Sequence, residues 1–440
     1  MRRPTPGGRL LIAAALLCAG GSAHAADENL HGALAPQAQL DLLEKLGVAP
    51  TIPKQPALVD VEFWKGIVPA DNQTTPERIE LGRKLFFDLH LSKDGTVACA
   101  TCHNVAKGFT DQRAVSEGIG DQLGRRNAPT TLNALFFQEF FLDGRAPSLE
   151  AQAKLPIVNP IEMGQPSGDA VVQAIAGDPT YPPLFQKAYG RPPNYEDIGR
   201  AIAAFERTLV FLGSPFDRFL AGDSQAISDQ AKEGWVLFNG KARCMSCHAL
   251  NPSNPIGTDN RFHNIGVAAR HQNFNELARK ALQALQGAQG KAGLEAVDHL
   301  ALETDMSELG RFMVTKYRSD IGSFKTLQLR NVGVTPPYMH DGSMQTLWDV
   351  LDHYNKGGEA NPYLDGGIEP LALTESEIDA VVALLFSMTD DRLKDENDRQ
   401  QAAQHERSLT QRPFRDNELA MRKVLPFEER AAGGPGSGGR

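Results

Sequence analysis

Cysteine, tryptophan, basic clusters and long apolar runs are all scarce in this sequence. Only 5 of the 440 residues are cysteine and only 3 are tryptophan. After the first 25 residues no stretch approaches the roughly 18 apolar residues of a membrane-spanning helix, so we expect no membrane span. The formal net charge is −9 and there is no basic cluster, which argues against a nucleic-acid-binding protein. The remaining composition, 41% apolar and 22% charged, suits about two domains with ordinary cores.

Four of the five cysteines lie in two copies of one motif, C-x-x-C-H. Residues 99–103 read Cys-Ala-Thr-Cys-His and residues 244–248 read Cys-Met-Ser-Cys-His, which leaves only Cys18 outside the motif. This pattern is typical of c-type haem attachment. Positions i, i+3 and i+4 share one face of a helical turn, so two thiols can bond one porphyrin while the histidine faces its iron. The predicted haem-binding residues are Cys99, Cys102 and His103 in the first copy and Cys244, Cys247 and His248 in the second.

Two other interpretations of the motif are weaker. A zinc site would have to be assembled from cysteine pairs that are far apart in the sequence, each followed by histidine, and this spacing fits zinc modules poorly. A thioredoxin-like redox pair would need a single motif and no histidine. Two covalently bound haem c groups are therefore the expected cofactors.

The N-terminus has the features of an export signal. Three arginines precede the apolar run L-L-I-A-A-A-L-L-C-A, and Ala-His-Ala follows at residues 23–25; these are the charged, apolar and cleavage regions of a signal peptide. We expect cleavage after residue 25 and a periplasmic mature protein. The first two arginines are a weak twin-arginine signal, and lipid attachment at Cys18 is disfavoured because Leu17 stands where a small residue is expected.

The two halves of the chain repeat the same order of short motifs. Each half contains G-x-x-L-F, the cysteine motif, an Arg-Asn pair and D-G-x-x-x-[ST]-L. The copies begin at Gly82, Cys99, Arg126 and Asp143 in the first half and at Gly234, Cys244, Arg330 and Asp341 in the second. This repeat predicts two similar haem domains, each with a helix before the haem motif and a second helix capped by Ser148 or Thr346.

Helical signals dominate the rest of the sequence, so the fold class is predicted to be mainly α with long loops. Residues 198–209 place apolar side chains on one helical face, and Thr374 with Glu377 forms a capping-box pattern. Only R-F-M-V-T-K near residue 311 suggests a strand. The predicted divisions are a signal peptide at 1–25, an N-terminal extension at 26–74, haem domains at 75–212 and 213–390, an insertion at about 268–308, and a partly disordered tail at 391–440.

These motifs, taken in order, resemble the dihaem bacterial cytochrome c peroxidase superfamily. The resemblance covers roughly residues 75–390, through CATCH, RRNAPTTLNALF, DGRAPSLEAQ, NPIEMG, CMSCH, LRNVGVTPPYMHDGS and HYNKGG. It implies two cytochrome c-like haem domains, with a peroxide-reacting haem in the N-terminal domain and an electron-transfer haem in the C-terminal domain. It also implies a bridging calcium ion, for which Asn127, Thr335 and Pro337 match the ligand positions.

The resemblance further implies which groups surround the first haem. A loop histidine that caps this haem in typical members falls on Ile119, and no other histidine lies between His103 and His248. We therefore expect the first iron to be five-coordinate or water-bound without prior reduction. Glu162 and Gln152 match the distal pair, with Glu162 as acid/base and Gln152 as its hydrogen-bonding partner. Without the motif context, Glu162 would be interpreted as a surface residue near a proline turn.

Two departures from the typical family pattern concern electron transfer. Tyr354 stands where typical members carry a methionine ligand of the second haem, and it resembles the MauG type, which has His-Tyr ligation and oxidises tryptophans of a partner protein. Its helical spacing with Leu347 and Leu351 also permits a simple core position. Leu142 replaces a tryptophan between the haems, and leucine cannot be oxidised as an electron-hopping station.

Three functions are consistent with these residues. The first is reduction of hydrogen peroxide with electrons from a small c-type cytochrome or another periplasmic donor. The second is MauG-like, peroxide-dependent oxidation of residues in a partner protein, and the third is a non-enzymatic dihaem electron carrier. Ile119 and Glu162 disfavour the carrier, Tyr354 favours the second function, and Leu142 favours the first. We expect a haem-dependent, cytochrome-c-peroxidase-like oxidoreductase.

Overall fold

The structure is a computed structural model that describes residues 32–51, 53–269, 273–286 and 290–411. The predicted signal peptide and the last ten residues lie outside the described residues. None of the helices within those residues is long and apolar enough to cross a membrane.

Helices make up about half of the described structure and strands very little of it, so the fold is mainly α, as the sequence predicted. Within the described residues the α-helices are α1 (Pro36–Lys45), α2 (Val61–Gly66), α3 (Pro76–Phe86), α4 (Cys99–Cys102), α5 (Leu149–Gln152), α6 (Leu155–Val158), α7 (Gly168–Gly177), α8 (Tyr181–Tyr189), α9 (Tyr195–Glu206), α10 (Pro215–Leu220), α11 (Asp229–Asn239), α12 (Phe274–Ala284), α13 (Gly290–Glu303), α14 (Phe312–Thr315), α15 (Leu347–Lys356), α16 (Glu375–Ser387) and α17 (Lys394–Gln411). Short 3-10 helices lie at Leu89–Leu91, Val105–Lys107, Ile119–Asp121, Ala134–Phe136, Cys244–Ser246, Val267–Ala269, Asp305–Leu309, Arg318–Asp320, Val332–Val334 and Asp391–Leu393.

Strands are confined, among the described residues, to one antiparallel pair. It joins β1 (Phe262–His263) to β2 (Phe324–Lys325). The strand predicted near residue 311 is wrong, because Phe312–Thr315 is the helix α14. Phe312 and Met313 are both buried in the core of the insertion, so tertiary packing overrides the strand preference of the β-branched residues that follow.

A helix pair forms the centre of each half, and the repeated glycine explains how closely each pair packs. α3 crosses α9 in the first half, and α11 crosses α16 in the second. A Cβ atom at Gly82 would lie 1.8 Å from the carbonyl oxygen of Ala201, and one at Gly234 would lie 2.0 Å from that of Ala380. Both distances are far below van der Waals contact, so only glycine allows these crossings.

The structure corrects one part of the predicted repeat, the equivalence of the two Arg-Asn pairs. Asn331 corresponds in structure to Asn133 and not to Asn127. Asn133 and Asn331 both have positive φ, at 58° and 62°, and both precede a 3-10 helix. Each donates its Nδ2 to the carbonyl oxygen of Phe211 at 3.1 Å. The two halves therefore meet at one backbone carbonyl through equivalent asparagines.

Helix caps follow the sequence predictions. Ser148 caps α5 by accepting from the amide of Ala151 at 3.2 Å. Thr346 caps α15, and Thr374 with Glu377 forms the expected capping box at α16. One apolar core cluster draws almost entirely on residues 43–211 and a second on residues 216–388. The domain boundaries themselves stay predictions.

The insertion and the tail are both helical. α12 and α13 lie in the predicted insertion, where Phe274, Ala281 and Leu285 are buried in one cluster with residues of α14. α17 occupies a region predicted only as a partly disordered tail. Its Gln404 is buried and donates Nε2 to the carbonyl oxygen of Gly333 at 3.0 Å, so this helix packs against the second half.

Replacing Gly82 by alanine should lower the free energy of unfolding by about 1–3 kcal/mol, because the new methyl group forces α3 away from α9. Chemical denaturation of the haem-loaded protein, followed by circular dichroism, measures this change. Gly177→Ala is the matched control, since Gly177 also lies in a helix but has no atom within 4 Å of its missing Cβ. Equal stability of the two variants would contradict the close-crossing explanation.

Two candidate haem sites

The first C-x-x-C-H motif folds as one turn of helix, α4, with its histidine at the end. The amide of His103 donates to the carbonyl oxygen of Cys99 at 2.9 Å. His103 Nδ1 lies 3.3 Å from the carbonyl oxygen of Phe109. A carbonyl can only accept, so this contact places the proton on Nδ1 and leaves the Nε2 lone pair available for a metal.

The second motif repeats this arrangement in a 3-10 turn. The amide of His248 donates to the carbonyl oxygen of Cys244 at 2.9 Å, and His248 Nδ1 lies 2.8 Å from the carbonyl oxygen of Gly257. Burial lowers the pKa of both His103 and His248. Each imidazole is therefore held in the neutral form that binds metals.

Each motif lines its own mainly apolar cavity, of about 170 Å³ in the first half and about 290 Å³ in the second. A structural zinc site gathers four ligands around one ion, but the two cysteine pairs lie in different cavities. The donor set therefore fits thioether-bound haem better than zinc.

Glu162 and Gln152 both line the cavity of the first motif. Gln152 ends α5, and Glu162 lies in a turn that follows α6. The Oε2 atom of Glu162 is buried and has no hydrogen-bond partner within the described structure. Burial, together with the negative charge of Asp298, raises the pKa of Glu162 to about 8, although Arg145 opposes this shift. The surface interpretation of Glu162 is therefore wrong.

Asn159 organises the turn that carries Glu162. Its carbonyl oxygen accepts from the amides of Glu162 at 3.2 Å and Gly164 at 2.8 Å, and its side-chain Oδ1 accepts from the amide of Ile161 at 3.1 Å. Asn159 is itself buried. Asn159 thus holds three backbone amides of the turn that carries Glu162.

Ile119 packs directly against this turn. Its amide donates to the carbonyl oxygen of Glu162 at 2.9 Å, and a Cβ atom at Gly164 would lie 2.0 Å from Ile119 Cδ1. Among the described residues that line the first cavity, His103 carries the only imidazole. No second histidine therefore faces this site from the described part of the chain.

Tyr354 lines the second cavity, where the sequence prediction places it. Leu347, Val350 and Leu351 of the same helix line this cavity as well, and Gly357 with φ 84° ends the helix. Burial and the nearby Cys247 and Cys244 raise the pKa of Tyr354. The phenol therefore shares a cavity with the second motif, and Met339 lies in the same lining.

The two cavities share one wall. It contains residues 127–130 together with Phe137, Leu142, Lys325 and Leu327. Leu142 is buried here, and its carbonyl oxygen accepts from the amide of Lys325 at 2.8 Å. Burial lowers the pKa of Lys325 to about 8. No sequence pattern predicted that this lysine lies between the sites.

The three residues matched to calcium ligands, Asn127, Thr335 and Pro337, all belong to the lining of the second cavity. Asn127 also lines the first cavity. Asn127 Nδ2 donates to the carbonyl oxygen of Arg113 at 2.8 Å. This bond leaves its Oδ1 free to accept, as a hard cation requires.

A buried charge network beside the first cavity was missed by sequence reasoning. Arg126 Nη1 donates to Asp143 Oδ2 at 2.6 Å, and Arg145 Nη1 donates to Asp143 Oδ1 at 3.0 Å. Arg145 Nε donates to Asp298 Oδ1 at 2.7 Å. The sequence analysis used Asp143 only to identify the repeated D-G motif and predicted no ion pair for it. No sequence pattern pointed to Asp298.

A second buried carboxyl group also lines the first cavity. Glu206, at the end of α9, has a buried Oε2 without a hydrogen-bond partner among the described residues. Burial raises its pKa to about 8. Its position within an otherwise ordinary helical pattern gave no reason to single it out.

Comparison with known proteins agrees with this geometry. The sequence profile of the family described as "Di-haem cytochrome c peroxidase" matches residues 76–225. "Methylamine utilization protein MauG" of Methylorubrum extorquens is 39% identical over 73% of this chain and 80% of its own length. "Cytochrome-c peroxidase IdrP1" of Denitromonas iodatirespirans is 33% identical over 88% of this chain and 95% of its own length.

A solved structure is similar as well. The crystal structure of "a MauG-like protein associated with microbial copper homeostasis" is 28% identical, with a TM-score of 0.60, and the match covers 77% of this chain and 95% of that one. Both relatives match over most of this chain and most of their own length. The chain therefore belongs to the di-haem cytochrome c peroxidase family.

Proposed function

We propose that this dihaem enzyme reacts with hydrogen peroxide at the N-terminal haem and draws electrons through the C-terminal haem. The observation that carries the proposal is the Glu162 carboxyl group, whose buried, unpartnered Oε2 faces the first motif's cavity within the described structure. A pure electron carrier has no use for a protonatable group there. Electron transfer without catalysis is therefore the least supported of the three functions.

The two motifs would hold the haems in equivalent ways. In each half the two cysteines attach the porphyrin and the following histidine supplies an iron ligand through Nε2. When bound, the haem supplies the iron at which peroxide is reduced. The polypeptide supplies fixed imidazoles, an apolar surround and, in the first cavity, a group that can move a proton.

Glu162 is proposed to carry the proton that must pass between the two peroxide oxygens as their bond breaks. A carboxyl group with a pKa of about 8 populates both protonation states near neutral pH, which suits a group that accepts and then donates. Gln152 lines the same cavity and can orient peroxide through its side-chain amide.

The electron donor is proposed to be a small c-type cytochrome or another periplasmic protein. This location rests on the export signal that the first 25 residues indicate. A calcium ion bound by Asn127, Thr335 and Pro337 would join the two halves beside the wall that both cavities share. The neutral oxygens that these residues offer are of the type that calcium binds.

Oxidation of residues in a partner protein is the second candidate function. Tyr354 favours it, because a phenol in the second cavity could ligate iron and would stabilise oxidised states relative to a methionine ligand. The two candidates are separated by adding peroxide to the enzyme in two samples, one with reduced c-type cytochrome and one with the proteins encoded beside its gene. Rapid oxidation of the cytochrome supports peroxide reduction, whereas modified residues in a partner protein support the second candidate.

Replacing Glu162 by glutamine should slow the reaction with peroxide by about 10²-fold or more, the range typical of acid-base groups. In the unmodified protein the rate should rise as pH increases through about 8, because only the carboxylate can accept the proton. Glu162→Gln should lose this rise. Stopped-flow mixing with peroxide across pH 6–9 measures both effects.

Glu196→Gln is the matched control for this experiment. Glu196 is exposed and pairs with Lys154 at the surface, so the same chemical change there should leave the rate and the pH dependence as they are. An unchanged pH profile in Glu162→Gln would move the proton-transfer group elsewhere.

The fully oxidised protein should show a high-spin ferric signal by electron paramagnetic resonance, because Ile119 offers no ligating atom to the first haem. Ile119→His should replace this signal by a low-spin one and should make peroxide reaction depend on prior reduction. Ile119→Leu is the control that changes shape without adding a ligand. Two low-spin haems in the unmodified protein would refute the open site.

Tyr354→Met should raise the potential of the second haem, because methionine ligation favours the ferrous state more than a phenol oxygen does. A redox titration followed by absorption spectroscopy measures the shift. Met339→Leu is the control, since Met339 is a thioether in the same cavity that is not proposed to bind iron. An unshifted potential in Tyr354→Met would return Tyr354 to the core-packing interpretation.

A further inference from the structure

The insertion of the second half contributes to the cavity of the first half. α13 lies within the predicted insertion, yet Leu302 of this helix lines the first cavity. Just after α13, the carbonyl oxygen of Ser307 accepts from Arg126 Nη2 at 2.8 Å. Ser307 is fully buried and Arg126 nearly so. The insertion therefore forms part of the wall around the proposed peroxide site.

Asp298 of α13 makes the most direct of these contacts. Its Oδ2 accepts from Asn159 Nδ2 at 2.5 Å, and its Oδ1 accepts from Arg145 Nε at 2.7 Å. Asp298 is only 3% exposed. Both of its carboxylate oxygens thus accept hydrogen bonds from residues of the first half.

The contact with Asn159 matters because Asn159 holds the turn that carries Glu162. Its carbonyl oxygen accepts hydrogen bonds from the amides of Glu162 and Gly164. Its side-chain oxygen accepts one from the amide of Ile161. Asp298 accepts a hydrogen bond from the Nδ2 atom of the same Asn159 side chain. A side chain of the insertion is therefore two hydrogen bonds away from the backbone of Glu162.

Charge adds a second link between Asp298 and Glu162. Arg126, Asp143, Arg145 and Asp298 form a buried set with two charges of each sign. If Asp298 is neutralised, Arg145 has one anionic partner fewer and its positive charge acts more strongly on Glu162. A nearby positive charge favours the carboxylate.

We propose that Asp298 is a positioning residue that the insertion supplies to the peroxide site, holding Asn159 and Arg145 so that the Glu162 carboxyl group keeps its place in the cavity. This inference rests on the proposed function of Glu162. The structural part of it, the hold on the turn at residues 159–164, can be tested separately from catalysis.

The structural test compares amide hydrogen exchange in Asp298→Asn with that in the unmodified haem-loaded protein. Asparagine keeps the shape of the side chain but can no longer accept from both Asn159 and Arg145. Exchange at the amides of residues 161–164 should rise about tenfold, as expected when a hydrogen bond to a charged group is lost. Exchange in α9 should not change.

Asp305→Asn is the matched control. Asp305 lies in the same predicted insertion and also pairs with an arginine of the first half, Arg125, at 2.7 Å, but its side chain is 63% exposed. It should leave exchange at residues 161–164 unchanged. Unchanged exchange in Asp298→Asn, or an equal rise in α9, would overturn the inference, because the turn would then not depend specifically on Asp298.

The catalytic test measures the peroxide rate against pH in Asp298→Asn. Arg145 and Asp298 act directly on Glu162, while His103 and Glu206 line the same cavity. Removing the Asp298 charge should move the rise in rate to lower pH and reduce the plateau about tenfold, as misplacement of a reacting group does. Asp305→Asn should change neither.

The double variant Glu162→Gln/Asp298→Asn separates the two proposals. If Asp298 acts through Glu162, its replacement should add little to the loss already caused by Glu162→Gln. A full additional loss would overturn the positioning role. A third outcome is that exchange at residues 161–164 rises in Asp298→Asn while Glu162→Gln leaves the peroxide rate unchanged. This outcome would support the hold of Asp298 on the turn and refute the proposed role of Glu162.

Discussion

The buried charge network around Arg145 is the interaction on which the first site depends. Arg145 joins Asp143, in the repeated D-G motif, to Asp298 in the insertion. Burying four charges is tolerable only because each faces an opposite charge. Losing one partner leaves an uncompensated charge in an apolar surround, so two parts of the chain that are distant in sequence, residues 126–145 and the insertion, are constrained to meet at this cavity.

The repeat supplies one scaffold, and different side chains placed on it give two different sites. Gly82 and Gly234 permit equivalent helix crossings, and both motif histidines bond a backbone carbonyl through Nδ1. The same framework thus prepares two imidazoles for metal binding. The sites differ in what faces each motif, which is a carboxyl group in the first cavity and a phenol in the second.

Local signals in the sequence predicted the features that depend on few neighbouring residues. The haem motifs, the caps at Ser148 and Thr346 and the helical spacing near Phe274 are of this kind. Asp298 and Lys325 were not predicted, because their importance comes from contacts with residues far away in sequence. The strand near residue 311 failed for the same reason, since burial of Phe312 and Met313 depends on the insertion.

The wall between the cavities determines how an electron can pass from one site to the other. Leu142 cannot be oxidised, and the neighbouring Lys325 places its buried Nζ 5.3 Å from the ring centre of Phe137. In a surround of low dielectric constant, a fixed positive charge disfavours additional positive charge nearby and favours additional electrons. When Lys325 is protonated, it therefore disfavours a transient positive charge on the ring of Phe137. Neither Leu142 nor Phe137 then offers an oxidisable station in this wall, so an electron that passes between the two sites must cross the wall in a single step.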